Sequence, residues 1–240
     1  MNDITEHSHL PCDGKVRPLG YYLGVHFFPA MKLTPREGHE FAALLSGYFD
    51  IGKTAIDAGR WSFASEQGNF TVQVGKTQLE LHGEGPEDRQ ERYEERYSTV
   101  LRRFHDHFSP RWVMASKAML RGLVAINGDA RLFLAGRVMN LDPARLLPLK
   151  RKLHVLGMRL SFSKDDDGQG NPDWDADVKV ESWSADPSQL FVEVNGTWTN
   201  DPVEWNESAH AAVVARLSVV TEYIDDTIIP FLTHEPTEEE

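Results

Sequence analysis

The chain has 240 residues, 40% hydrophobic and 26% charged, with a formal net charge of −12; this is the composition of a globular protein with room for one large domain or two small ones. No run approaches the roughly 18 to 20 apolar residues of a membrane helix, and the N-terminus is polar without an apolar signal core, so a membrane or secretory role is excluded and a cytoplasmic location expected. The single Cys12 has no internal disulfide partner, in keeping with a reducing compartment, and the acidic total argues against a generic nucleic-acid binder.

Residues 1–18 are polar, hold Pro11, Gly14 and Pro18, and read as a mobile arm. Residues 21–28 are apolar on both faces, which suits a buried strand. Thr34, Pro35 and Glu37 then spell a helix start, with a cap hydroxyl, a proline in the first turn and an acid three residues after the cap, so a helix is expected to about Tyr48. Residues 60–66, 69–74 and 78–82 alternate between turn signals and predict a meander of three antiparallel strands.

A helix over 90–108 follows, with Tyr93, Tyr97, Val100, Phe104 and Phe108 spaced to share one face. Its acids lie early (Glu87, Asp88, Glu91) and Arg102 and Arg103 lie late, as the helix dipole prefers. Ser109 and Pro110 mark a junction. Residues 113–126 read as a long strand, and Asn127-Gly128-Asp129 as the turn that pairs it in a hairpin with 131–139. Leu141-Asp142-Pro143 repeats the earlier cap-proline start and predicts a helix to about His154. Strands are expected over 158–163, 177–184 and 190–194, with a polar loop at 165–175, a long helix over 206–232 and an acidic tail at 234–240.

The halves resemble one another. Val213, Leu217, Val220, Ile224 and Ile228 repeat the helix spacing at an offset of 120, and residues 70–74 match 190–194 at the same offset. The expected fold is therefore α+β: two tandem strand-helix-meander-helix repeats over 19–109 and 110–233, forming a curved antiparallel sheet with helices on one face. In element order this resembles the saddle-like fold of the TATA-binding protein, a likeness of fold that carries no function.

Charge is unevenly distributed. Residues 111–164 hold 11 Lys or Arg against Asp129 and Asp142, a net of +9, whereas residues 165–240 hold Lys179 and Arg216 against 19 acids, a net of −17. Strand alternation in the expected hairpin groups Lys117, Arg121, Arg131 and Arg137 around Met119 and Phe133 as a binding face, where cations beside an aromatic ring can hold phosphates and stack on bases. The competing expectation is that these bases pair with Asp173, Asp175, Asp177, Glu181 and Glu193 on neighbouring strands. Arg145, Lys150, Arg151 and Lys152 are expected on a solvated helix face.

Other clusters read as structural. His7, His9 and Cys12 lie in the arm without a clear fourth ligand; His105 and His107 are two apart on a helix and point to different sides; His26 and His154 sit beside apolar residues as boundary groups. The Asp-rich run 165–173 lacks the regular alternation and terminal Glu of a calcium loop. No nucleophile elbow, phosphate loop or dinucleotide fingerprint is present, so the expectation is no metal, no cofactor and no catalytic residue, leaning against an enzyme.

Residues 61–74, 93–108 and Leu120-Arg121-Gly122-Leu123-Val124-Ala125-Ile126-Asn127 resemble a sporadically distributed, largely uncharacterised family of bacterial proteins, with Val124-Ala125 where that family carries Arg-Tyr. The resemblance transfers no catalytic residue. It implies an accessory or regulatory subunit, including one in an antiviral defence or toxin-control system. Function is thus expected to be binding to a protein partner, through the open sheet face or the acidic C-terminal half, with no membrane and an oligomeric state left open. The alternatives are nucleic-acid or phosphate-ligand binding through Lys117, Arg121, Arg131, Phe133 and Arg137, and a hydrolase whose residues converge only in the fold.

Overall fold

The computed structural model describes residues 14–85, 89–142, 150–151, 153–164, 173–199 and 201–233. The fold is α+β, with one ten-stranded sheet among the described residues. Its first half runs β1 (Arg17–Phe28), α1 (Pro35–Ser46), β2 (Ile51–Ile56), β3 (Arg60–Ser65), β4 (Phe70–Gly75), β5 (Gln78–Glu84) and α2 (Gln90–Phe108). Its second half runs β6 (Trp112–Ala125), α3 (Ala130–Phe133), β7 (Gly157–Phe162), β8 (Asp175–Ser182), β9 (Gln189–Trp198), β10 (Val203–Glu204), α4 (Glu207–Tyr223) and α5 (Ile229–Thr233). Strand order is β2-β3-β4-β5-β1-β6-β9-β8-β7, antiparallel throughout, with the short β10 on β6. Each half therefore starts with a central strand and runs its meander from the outside inward.

The sheet crosses the expected junction between halves without a break, because β1 and β6 pair from Arg17↔Leu123 to Phe28↔Trp112. Strand β1 begins at Arg17, inside the segment expected as an arm, while 1–13 and the acidic tail 234–240 lie outside the described residues. Strand β2 was not expected; its two faces are both largely exposed, so it gives no alternating signal. The offset of 120 holds for the helices but not for the strands. Residues 190–194 belong to β9, which lies directly beside β6, whereas 70–74 belong to β4, one strand removed from β1.

Alternation puts one side of every central strand into the core: Tyr21, Leu23, Val25 and Phe27 on β1, Leu79 and Leu81 on β5, Ala118, Leu120 and Val124 on β6, Val192 and Val194 on β9. Helices α2 and α4 cover this side with the residues their spacing selects. Tyr93, Tyr97, Val100 and Phe104 from α2, and Val213, Leu217, Val220, Ile224 and Ile228 from α4 and its continuation, are all buried, while Phe108 is half-buried against Phe41 and Trp61. The two helices are also tied by polar contacts: Gln90 donates to Ser218 at 3.0 Å, and the Thr221 and Ser218 hydroxyls donate to Gln90 and Glu94.

The helix starts follow the chemistry of their caps. Thr34 accepts from the Glu37 backbone N–H at 3.3 Å and its hydroxyl meets the Glu37 carboxylate at 2.6 Å; Asn206 accepts from the Ala209 N–H at 3.0 Å. Beyond Tyr223 the backbone widens into a π turn, Ile224–Ile228, before α5. Pro230 has no N–H to give the carbonyl four residues back, and its ring crowds that carbonyl, so the wider turn relieves the conflict. The helix expected from Asp142 to His154 does not reach that far: Lys150 has φ +50 and 153–156 are not helical, while 143–149 lie outside the described residues.

The expected hairpin of 113–126 with 131–139 is not formed. Both edges of β6 are already occupied, by β1 and by β9, so no position remains for a hairpin partner. Locally, Asp129 accepts from the Arg131 N–H at 2.9 Å and caps α3, while the Ala130 N–H reaches across to the Pro187 carbonyl at 2.7 Å. The chain then continues as a π turn, Leu134–Val138. An Asn-Gly-Asp turn signal is thus used to start a helix.

Phe104 contacts the Phe27, Phe41, Phe108 and Trp205 rings at the centre of the helix–sheet core. Phe104→Ala is expected to lower the unfolding free energy by about 3–5 kcal/mol in denaturant titrations, while Arg102→Ala on the exposed side of the same helix changes it by less than about 0.5 kcal/mol.

Candidate functional site on the open face of the sheet

The side of the sheet away from α2 and α4 is largely polar, apart from Leu123 and Phe191, and strand register fixes its rows. One row carries Glu80, Gly24, Lys117, Thr197 and Asp175; the next His82, Tyr22, Met119, Asn195 and Asp177; the third Glu84, Gly20, Arg121, Glu193, Lys179 and Arg159. Two glycines set the relief at the centre. A Cβ at Gly24 would lie 2.5 Å from the Tyr22 hydroxyl, and one at Gly20 would lie 2.9 Å from the Arg121 Nε, so both side chains lie flat across the backbone of β1.

Most charges on this face are satisfied by neighbours within the sheet. Arg121 meets Glu84 at 2.7 Å, Arg159 meets Asp177 at 3.1 Å and Lys179 meets Glu181 at 2.9 Å. Arg60 hydrogen-bonds Gln73 and reaches Glu80 at 3.1 Å, and Glu80 also accepts from the Tyr22 hydroxyl at 3.2 Å. His82 packs on the Tyr22 ring with its Nε2 3.7 Å from Glu80, too long for a hydrogen bond. The His82 imidazole and Arg60 hold the Glu80 carboxyl below the usual carboxylate range, while burial and the adjacent carboxylate push the Tyr22 phenol up. The sequence signal for this cluster is Gln78, Glu80, His82 and Glu84 at every second position, the outward row of β5, but its partners come from other strands.

Lys117, Glu193 and Asn195 differ from their neighbours. Their side chains make no hydrogen bond or ion pair with any of the described residues, and they lie on the adjacent strands β6 and β9, one in each of the three rows. At the far end of the same central strands, Phe28 pairs with Trp112 on this side; Phe28 is 55% exposed and Arg111 lies 5.2 Å above the Trp112 ring.

The residues expected to form one basic surface are divided by the fold. Lys117 and Arg121 lie on the open face. Phe133 is buried in the core on the other side of the sheet and presents no stacking surface. Arg131 is locked in an ion pair with Asp129 and donates to the Leu153 carbonyl at 3.0 Å, and Arg137 donates to the Thr233 carbonyl at the end of α5. The misplacement follows from the hairpin that does not form. Of the bases expected to pair with the acidic last third, Arg121 stands opposite Glu193 in register but turns to Glu84 of the first half.

Two recesses lie elsewhere. A cavity of about 160 Å³ is lined by Arg131, His154, Ser182, Trp183, Ser184 and Pro187. Ser182 and His154 share it without a hydrogen bond between them, and Ser182 Oγ accepts the Leu156 N–H at 3.0 Å. A cleft of about 510 Å³ runs between α2 and the β3–β4 turn, where Phe49 and Phe70 face Arg92 and Arg96 beside Asp50 and Glu95, equal numbers of each charge. Among the described residues no three His, Cys, Asp or Glu side chains converge as a metal ion would require. His7, His9, Cys12 and the run 165–172 lie outside those residues. His107 packs on Phe41 and Phe108, whereas His105 stacks on Trp205 and faces His210, so the pair does point to different sides but His105 is part of a packed cluster.

Compared with known proteins, the chain matches no family model and no curated protein sequence. Among the described residues no helix is long and apolar enough to cross a membrane.

The burial of His210 beside His105 is expected to make stability depend on pH. His210 is buried, and desolvation, with His105 and Arg102 of α2, pushes its imidazole below the ordinary histidine value; Asp106 and Glu207 act the other way. Between that lowered value and the unfolded value near 6.5 the unfolded chain binds the extra proton, so stability falls as pH drops below about 6.5. Denaturant midpoints measured between pH 5 and pH 8 are expected to show this slope, and His210→Leu is expected to flatten it.

Proposed function

We propose that this protein is a non-catalytic interaction module, an accessory or regulatory subunit whose open sheet face docks on another protein. The observation that carries the proposal is the contrast on that face. Most of its other charges are neutralised by ion pairs within the sheet, while the side chains of Lys117, Glu193 and Asn195 on the central strands β6 and β9, one cation, one anion and one amide, have no partner among the described residues. Unpaired groups of both signs select a partner of complementary pattern, and the exposed Phe28 beside Trp112 supplies an aromatic anchor.

The charge of the face favours a protein over a nucleic acid. Across the face the open side holds Arg17, Arg60, Lys117, Arg121, Arg159 and Lys179 against Glu80, Glu84, Asp175, Asp177, Glu181 and Glu193. A surface whose cations are matched in number by carboxylates has no net charge to draw a phosphate backbone. The relocation of Arg131, Phe133 and Arg137 leaves the nucleic-acid alternative with only Lys117 and Arg121 of its residues on this face, the latter paired with Glu84.

The test is affinity purification of the tagged protein from its host at moderate salt, with wild type and the double charge reversal Lys117→Glu/Glu193→Lys compared at equal melting temperature. A stoichiometric protein companion that the reversal removes, and that Arg131→Ala leaves in place, is the expected result. Nuclease-sensitive material whose binding falls steeply with salt, or a companion indifferent to the reversal, would overturn the reading.

A further inference from the structure

The two edges of the sheet are built differently. At one edge, β2 is interrupted by a register shift between Ile51 and Lys53 and exposes Lys53, two devices that discourage another strand from adding on. At the other, β7 pairs with β8 over Gly157 to Phe162 in unbroken register, and no strand lies on its outer side among the described residues. Along β7, Met158, Leu160 and Phe162 share the core side with Val180, Val178 and Ala176, while Arg159 and Ser161 share the open side with Lys179 and Asp177. Phe162 is 46% exposed. An apolar stripe thus runs to the rim of the sheet on the side where the rest of the sheet is covered by helices.

We infer that β7 pairs antiparallel with β7 of a second copy, joining two sheets into one across a twofold axis at Leu160. The occupant follows from the self-complementarity of the strand. A twofold pairing that keeps both core sides on one surface allows only registers in which residues of the same parity face each other. Centring on Arg159 sets Arg159 against its own copy, a like-charge contact at the axis. Centring on Ser161 sets Met158 against Lys164. Centring on Leu160 instead sets Leu160 against itself and Met158 against Phe162 on the core side, and Arg159 against Ser161 on the open side. That register also places each Arg159 in the same cross-strand row as the partner copy's Ser161 and Asp177, continuing the guanidinium–carboxylate pairing that already exists at 3.1 Å within one chain. The dimer leaves Lys117, Glu193 and Asn195 open, so it is independent of the partner reading above.

The test uses sedimentation equilibrium and cysteine cross-linking of the full chain. Wild type is expected to show a monomer–dimer equilibrium that Phe162→Lys, at a half-exposed position, shifts to monomer without changing the melting temperature. In a Cys12→Ser background, which removes the one native cysteine, Leu160→Cys is expected to form a disulfide dimer under mild oxidation. Met158→Cys and Phe162→Cys are expected to cross-link efficiently only when the two variants are mixed. Lys53→Cys on the opposite edge serves as the control and is expected to remain monomeric. A wild-type chain that sediments as a monomer at all attainable concentrations, or Lys53→Cys cross-linking as readily as Leu160→Cys, overturns the inference.

Discussion

The pairing of β1 with β6 is the constraint on which the rest of the molecule depends. It is the longest ladder in the sheet, it brings together strands more than 80 residues apart, and it makes a single layer from two meanders that would otherwise be separate small sheets. Because β6 gives its other edge to β9, the chain leaving Ala125 has no strand to pair with and turns into α3. The burial of Phe133, the capping by Asp129 and the removal of Arg131 and Arg137 from the sheet all follow from that saturation.

The same pairing organises the open face. It places Gly20 and Gly24 of β1 against Arg121 and Lys117 of β6, so that Tyr22 and Arg121 can lie along the surface where a side chain on either glycine would lift them. Charges there are arranged by rows across strands rather than by sequence neighbourhood. Arg121 finds Glu84, 37 residues away, and Arg60 finds Glu80 across β4. The polarity of the chain, basic in its middle and acidic at its end, is therefore not displayed as two opposite patches on this face; the sheet interleaves the signs and leaves a mixed centre.

Local and periodic features were legible in the sequence. Both long helices, their buried faces, the Thr34 cap of α1 and most strands are readable because spacing and capping chemistry are properties of neighbouring residues. The hairpin was misread because Asn127-Gly128-Asp129 is a strong local turn signal whose outcome was decided by occupancy of the edges of β6, a fact held by residues 17–28 and 189–198. Strand β2 was missed because a strand exposed on both faces has no apolar alternation to display. The candidate site suffered most. Lys117 and Arg121 were correctly set on one side of one strand by alternation alone, but Arg131, Phe133 and Arg137 inherited the error of the hairpin, and the Tyr22–Glu80–Arg60 cluster needed strand order to become visible.

The central claim is that the open face, and not the helical side, is where a partner sits. The most direct measurement is side-chain footprinting by mass spectrometry of the protein alone and within the complex recovered from its host. Labelling of Phe28, Trp112 and Lys117 is expected to fall on complex formation while Tyr48 and Phe231, exposed away from the centre of that face, keep theirs. Protection of Tyr48 and Phe231 with Lys117 and Phe28 still reactive would contradict it.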